Sequence, residues 1–533
     1  MLDVLIQNAE IVDGANAPRY RGDIAIEGDR IADIGSLKDA AAKSVIDATG
    51  RVVVPGFIDM HSHADLSLLV APEAESLVHQ GITTVVTGQC GLSPAPLTRE
   101  SRKDATATLN TFVPPKVSMP WDEMSSFDSF LDYLERTKPA VNVVPLVGQG
   151  MIRAAIMGYS ANQATEDQIG QMQRLIHAAM DSGAFGVSTG LIYPPGSFTS
   201  TEELIKVVRP LGERDGLYFS HARGEAGTVI EAYTEAIEIG RQAGAGVQIS
   251  HFKATGRENW DKAAPALELI DNARSEGLDV TADMYPYRAG STYLAALLPK
   301  WATEGGVPGL LKRLDLPGER KKIVEGMKAG EGEVVENIEW DKVLICRSRK
   351  EEYVGHYVSE LAAKEGKDPY TWTLDALLNT FGNILMVIFG MAEDNVRMQL
   401  QHPAMMIGTD SVGLATEGPM ASGMLHPRCF GTYPRIFGRH VREESILSLE
   451  EASWKASGFP AQKLRLADRG LIRKGYKADL VLFDPVTIQD RATYVKPLQY
   501  PSGIDYVLVN GELVIEQGRQ TDARPGEVIR RRS

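Results

Sequence analysis

The stretch Gly56-Phe-Ile-Asp-Met-His-Ser-His63 is a short apolar run that closes on two histidines. Other runs close in the same way. Thr83-Thr-Val-Val-Thr87 leads through Gly88 and Gln89 to Cys90, and Leu217-Tyr-Phe-Ser220 leads to His221. Gly246-Val-Gln-Ile-Ser250 leads to His251, and Ala404-Met-Met-Ile-Gly-Thr409 leads to Asp410. Six residues of metal-ligand type therefore end β-like segments spread over most of the chain. In a barrel of parallel strands the C-terminal ends converge on one mouth. Residues distant in sequence can then meet around one metal centre.

Working outward, the middle of the chain alternates strand-like and helix-like segments. Strands are expected at 56–61, 83–88, 141–147, 184–189, 217–220, 246–250, 278–283 and 404–409. Helical patterns such as Glu203–Arg209 and Glu231–Ile239 separate most of them. Eight β units with helical returns predict an α/β fold built on a (β/α)8, TIM-like barrel. An open doubly wound sheet is the alternative, but no Gly-x-Gly-x-x-Gly follows a first strand and there is no P-loop.

The two ends of the chain differ from the middle. Residues 3–14, 23–28 and 30–35 read as strands closed by Gly turns, and 478–484 and 504–511 have the same character. Neither end alone buries much surface, so 1–55 and 467–533 are expected to form one small β-sandwich. The barrel then occupies 56–466. The seventh and eighth strands are separated by about 120 residues, far more than a loop needs. That stretch, around 290–400, is expected to be an inserted subdomain near the mouth, with a helix over Tyr353–Ala362. The irregular segment 95–130 is expected to cover the site.

A length of 533 residues and an apolar fraction of 43% suit a large folded core. No apolar run reaches 18 residues, so no membrane span is expected. The N-terminus, Met1-Leu-Asp-Val-Leu-Ile6, lacks the basic start of a secretory signal. Three well-separated cysteines do not make a disulfide framework, which fits a cytoplasmic location. A formal charge of −14 argues against nucleic acid as partner. The Arg530-Arg531-Arg532 tail is expected to be a frayed, solvated terminus. Nothing in the sequence fixes the oligomeric state.

Zinc takes imidazole, thiolate and carboxylate ligands. His61 and His63 share a face because strand side chains alternate with period two. A lone His-x-His is more often structural; the pattern gains weight because His221, His251 and Asp410 end later strands. Cys90 lies in Gly88-Gln-Cys-Gly91, where glycines allow close backbone approach, and its thiolate would be a soft ligand able to bridge two ions. His79, His177, His356 and His440 lie on helical or loop patterns and are read as surface or packing residues.

These stretches resemble the amidohydrolase superfamily, and within it the N-acyl-D-amino-acid deacylases. The resemblance is carried by 56–63, Gly88-Gln-Cys-Gly91, Gly190-Leu-Ile-Tyr-Pro-Pro-Gly196, Ser220-His-Ala-Arg223, Ser250-His-Phe-Lys253, Ala282-Asp-Met-Tyr-Pro-Tyr287, His426-Pro-Arg-Cys-Phe-Gly-Thr432 and Gly475-Tyr-Lys-Ala-Asp-Leu-Val481. It implies one tight Zn²⁺ on Cys90, His221 and His251, and a weaker second site on His61, His63 and Asp410. Many relatives outside this group bridge their metals with a carbamylated lysine on the fourth strand; here Gly186-Val-Ser-Thr-Gly190 has none, and Cys90 takes that role. Phe252 stands where relatives often have a second histidine, and is expected to reshape the pocket.

The resemblance further implies hydrolysis of an N-acyl-D-amino acid by metal-activated water, with Asp410 as general base and then acid. The substrate is a small molecule bearing a carboxylate. Arg428 is the expected partner for it, since a guanidinium pairs bidentately with carboxylate. The resemblance adds Tyr193, Lys253, Tyr285 and Ser291 as pocket contacts. The D preference rests on the resemblance alone. A cyclic amidohydrolase of the hydantoinase or dihydropyrimidinase kind is the second expectation, and a non-catalytic assembly protein on the same fold is the third.

Overall fold

A computed structural model describes every residue except 38, 115, 116, 333, 532 and 533. All eight segments expected in the middle of the chain contain strands. These are β1 (Phe57–Asp59), β2 (Ile82–Thr87), β3 (Asn142–Pro145, continued by Val147–Gly148), β4 (Gly186–Gly190), β5 (Leu217–His221), β6 (Gly246–Ile249), β7 (Val280–Met284) and β8 (Met405–Ile407). Neighbours pair in parallel, β1 to β2 to β3 and β3 through β7 to β8. The last strand also meets the first. Met60 N–H donates to Ile407 O at 3.3 Å, Asp410 N–H to His61 O at 2.7 Å, and His63 N–H to Ser411 O at 2.8 Å.

The architecture is mixed α/β. Every residue of β2, Ile-Thr-Thr-Val-Val-Thr, is buried, as expected where a parallel sheet is covered on both faces. The helix Val229–Ala243 buries Val229, Ala232, Tyr233, Ala236, Ile237, Gly240 and Ala243, a stripe at helical spacing. It stops at Gly244, whose φ of 69° suits a residue without Cβ. The helix Glu166–Asp181 starts from a capping box in which Thr165 and Gln168 satisfy each other's backbone N–H groups. Such a cap contributes about 1 kcal/mol.

Strands from both ends of the chain join one nine-stranded sheet, which includes Leu2–Ile11, Val52–Pro55, Leu480–Phe483 and Ile504–Val509. Alternation gives this sheet two apolar faces. Val53, Leu480, Leu482 and Leu508 pack with Ile6, Ile24 and Ile26 in the sheet's own core. Val52, Val54, Val481 and Phe483 share a cluster with Phe57 of β1 and the helices of the middle region.

Between β7 and β8 stands a three-stranded antiparallel sheet of Ala289–Tyr293, Ile384–Phe389 and Val343–Ser348. Its core includes Leu297, Leu310, Ile323, Ile345, Trp372 and Met386. The helix expected over Tyr353–Ala362 begins only at Val358. Gly355, at φ 84°, separates it from a 3₁₀ turn at Glu351–Tyr353.

The C-terminus corrects another expectation. Arg530 pairs with Asp128 at 3.0 Å and Glu135 at 3.4 Å, and also with Asp132. These acids lie on one face of the helix Phe127–Thr137. Ile529 N–H donates to Val143 O, and Arg531 N–H to Gly183 O. The tail is therefore docked rather than frayed; Arg532 lies outside the described residues. Among the described residues, no helix is long and apolar enough to cross a membrane.

Candidate metal centre

Three residues that follow these strands have left-handed backbones: Cys90 at φ 54°, His251 at 35° and Asp410 at 49°. For residues with a Cβ this conformation costs about 1–3 kcal/mol, and such strain collects at functional sites. Each turn aims its side chain into the space above the strand ends. Gly91 leaves room for the approach of the Cys90 loop to β4, since a Cβ on Gly91 would lie 2.8 Å from Gly190 N. Ser188, on β4, fastens that loop. Its Oγ accepts from Gly91 N–H at 2.9 Å and donates to Gly88 O.

The six residues then come together. Cys90 Sγ lies 3.3 Å from His61 Nε2, 3.5 Å from His221 Nδ1 and 3.5 Å from His251 Nε2. His221 Nδ1 and His251 Nε2 are 2.7 Å apart. Asp410 Oδ1 lies 3.6 Å from His61 Nε2 and 3.3 Å from His63 Nε2. A tetrahedral zinc ion with ordinary bond lengths holds a sulfur and a nitrogen about 3.5 Å apart. The donor set of thiol, imidazoles and carboxylate, and its spacing, thus fit zinc. Groupings whose ligand atoms all lie within 4.8 Å of one another include His61–Cys90–His251, His61–His63–Asp410 and His221–Glu225–His251. His61 and His251 each belong to two of them, so the clusters are adjacent.

The far sides of two rings face carboxylates. His61 Nδ1 is 3.3 Å from Asp283 Oδ1, and His251 Nδ1 is 3.0 Å from Glu225 Oε1. Such outer carboxylates orient metal-binding imidazoles and raise their basicity. Sequence reasoning missed both acids. Asp283 lies within β7, and Glu225 is four residues beyond His221, so each was visible but not assigned. Asp283 also accepts from Gln248 Nε2 and His251 N–H, both at 2.8 Å.

Burial sets the charges. It drives the His221 pKa well below the ordinary value and brings His61 to about 4, so both imidazoles are neutral and able to ligate. Burial also pushes the Cys90 thiol up, with the Asp410 carboxylate adding to the effect. A nearby cation reverses that and favours thiolate. Burial raises the Asp410 carboxyl too, but Arg428 and the imidazoles outweigh it and hold Asp410 well below the usual range. Glu225 is likewise pushed up by burial, but Lys253 and the His221 and His251 imidazoles together hold it well below the usual range.

His63, Cys90, His221, His251 and Asp410 open on a cavity that also exposes Tyr193, Lys253, Tyr285, Ser291 and Arg428. Arg428 stacks over the Tyr285 ring at 4.6 Å, and its Nη2 donates to Ser291 O at 3.4 Å. Tyr193 shares a 2.7 Å hydrogen bond with Thr292. Lys253 Nζ is 2.7 Å from Glu225 Oε1 and from His251 Nδ1. The segment 95–130, read as irregular from the sequence, holds a helix at Arg102–Leu109, and Phe112 just beyond it lines the cavity and stacks on His63 at 5.2 Å.

Phe252 corrects the sequence reading. It is buried against Tyr233, with ring centroids 4.9 Å apart, and does not line the cavity. His251 and Lys253, two residues apart, both face the cavity, and Phe252 between them points away from it. His440 is a packing residue, buried beside Glu444.

The profile of the amidohydrolase family matches residues 44–280 and 356–515. The D-aminoacylase of Alcaligenes xylosoxydans xylosoxydans is 37% identical over 99% of this chain and 98% of its own. A D-aminoacylase structure described as having a binuclear metal centre superposes with a TM-score of 0.83, at 35% identity over all of both chains. The N-acyl-D-glutamate deacylase of Bordetella bronchiseptica, solved with zinc and a phosphonate mimic of the tetrahedral intermediate, gives 0.84 at 34% identity over 99% of both chains.

Proposed function

The chain belongs to the amidohydrolase family and, within it, to the N-acyl-D-amino-acid deacylases, and from that premise we propose that it hydrolyses the amide bond of N-acyl-D-amino acids at this centre. The observation that carries this reading is the meeting of Cys90, His221, His251, His61, His63 and Asp410, all but His61 lining one cavity that also holds Arg428. The strand pairing that joins β8 back to β1 supports a (β/α)8 barrel over 56–466. The sheet shared by 1–55 and 467–533 forms a second unit, and the region around 290–400 is inserted at the barrel mouth. Three free, buried cysteines suit a reducing cytoplasm.

Cys90, His221 and His251 would hold the tighter zinc ion, and His61, His63 and Asp410 a weaker second one. Bound zinc acidifies water to near neutral pH and polarises the scissile carbonyl. Asp410, kept ionised by Arg428, accepts the proton of the attacking water. It then donates that proton to the departing amine, general base and acid work typically worth about 10²–10⁴-fold. The Arg428 fork receives the substrate α-carboxylate. Lys253, Tyr285, Ser291 and Tyr193 form the walls that orient it. β4 offers Ser188 and no lysine, which sets this centre apart from the cyclic-amide arrangement. The spread of converged ligands speaks against a non-catalytic role.

The test is a paired screen of the zinc-loaded protein on N-acetyl-D- and N-acetyl-L-amino acids, read by amine release. Release from the D series is expected. Equal rates on both enantiomers, or release only from hydantoins, would overturn the proposal.

A further inference from the structure

Two acids line the cavity, Glu225 and Asp410, and each has its own cation. Lys253 Nζ is 2.7 Å from Glu225, and Arg428 Nη1 is 2.8 Å from Asp410. The lining also includes a third permanent cation, Arg347. Its side chain is deeply buried, with 4% of the residue exposed. Nη1 donates to Thr111 O at 3.1 Å, while Nε and Nη2 have no hydrogen-bond partner. Among the described residues it forms no ion pair. A buried guanidinium left unpaired is costly, so such a group is expected to have a purpose.

The backbone shows how Arg347 comes to face the cavity. It lies in the strand Val343–Ser348, at an irregularity in the pairing: Ile345 faces Met386, but Arg347 already faces Leu385. Two residues, Cys346 and Arg347, thus oppose one. Bulges of this kind re-aim side chains beside functional sites. Met424, from the loop after β8, secures the bulge by donating its N–H to Cys346 O at 2.7 Å. Ser291 touches Arg428 and the residue beside Arg347. Its Oγ is 3.8 Å from Cys346 Sγ, next to Arg347, and its carbonyl accepts from Arg428. The surrounding wall is apolar, with Phe112, Val334, Leu385 and Leu425. Such a wall strengthens a charge-assisted pair and rewards a ligand that brings its own carboxylate.

We infer that Arg347 receives a second carboxylate of the substrate, making N-acyl-D-amino acids with two carboxylates the preferred class. This rests on the deacylase reading for the first carboxylate at Arg428. The second could belong to an acidic amino-acid side chain or to a dicarboxylic acyl group, and both would present the same chemistry to Arg347.

The experiment compares kcat/KM for N-acetyl-D-glutamate against N-acetyl-D-glutamine, and for N-succinyl-D-alanine against N-butyryl-D-alanine. Wild type is expected to favour the charged member of one pair by about 30-fold or more, the scale of a buried charge pair. The responding pair identifies the source of the carboxylate. Arg347→Gln should collapse that ratio, and Arg347→Lys, which keeps the charge but loses the fork, should restore part of it. Hydrolysis of the neutral substrates with no preference in either pair would overturn the inference and leave the deacylase reading intact. If no N-acyl-D-amino acid is hydrolysed, the deacylase reading fails. Thermal-shift titration of the zinc-loaded protein with glutarate and with butyrate then decides the role of Arg347 alone. Stabilisation by glutarate that is lost in Arg347→Gln supports it, and equal responses to the two acids overturn it.

Discussion

Arg428 Nη1 stands 2.8 Å from Asp410 Oδ2 but is not aligned for a hydrogen bond, so Arg428 Nε and Nη1 keep free N–H groups. One guanidinium therefore holds the Asp410 carboxyl ionised while keeping two N–H groups free. In the proposed reaction, substrate recognition and proton transfer would share this single pair.

Asp410→Asn preserves shape and removes the proton acceptor. Turnover is expected to fall by about 10³-fold or more, from loss of base and ligand together. Zinc analysis should still find the ion on Cys90, His221 and His251. Near-normal turnover would move the base to another residue.

Arg428→Ala is expected to lower kcat/KM steeply for N-acyl-D-amino acids. A buried carboxylate deprived of its partner costs roughly 2–5 kcal/mol. The corresponding amides, which carry no charge, should lose much less. Equal losses on acids and amides would make Arg428 a support for Asp410 alone.

Glu225 and Lys253 are a buried pair 2.7 Å apart, with side chains 8% and 7% exposed. Glu225→Gln leaves the Lys253 ammonium without a counter-charge beside His251. Breaking a buried pair from one side costs about 3–5 kcal/mol. Urea unfolding should show a loss of that size, and a loss below about 1 kcal/mol would mean that water already screens Lys253.

His440 is fully buried, and burial holds its pKa at about 4, against 6.5 when free. Between those values the unfolded chain binds a proton that the folded chain does not. Stability is therefore complete above pH 6.5, falls as pH drops towards 4 and levels below. The contribution of this one group reaches about 3 kcal/mol. In His440→Gln, the loss measured between pH 7 and pH 4.5 should shrink accordingly. An unchanged pH slope would show that His440 is not held neutral.

The apolar runs were legible because a buried parallel strand is nearly continuous in hydrophobic residues, and each donor here stands at or just past the end of one. Asp283 and Glu225 were not assigned because they act on the outer nitrogens of His61 and His251, and no periodicity marks that relationship. Phe252 was misread because two-residue alternation puts His251 and Lys253 on the cavity face and turns Phe252 away from it. Arg347 could not be placed at all: only the bulge after Ile345 turns it towards the cavity, and bulges have no reliable sequence signal. The docking of Arg530 depends on three acids about 400 residues earlier in the chain, on one face of Phe127–Thr137.

X-ray absorption at the zinc edge, on protein loaded with one zinc ion per chain, tests most directly whether Cys90 and the histidines form the catalytic metal site. Wild type is expected to show one sulfur neighbour at about 2.3 Å with nitrogen and oxygen neighbours near 2.0–2.1 Å. In Cys90→Ser the sulfur shell should vanish and tight zinc retention with it. A first shell of nitrogen and oxygen alone in the active wild-type protein would contradict the assignment of Cys90 as a ligand.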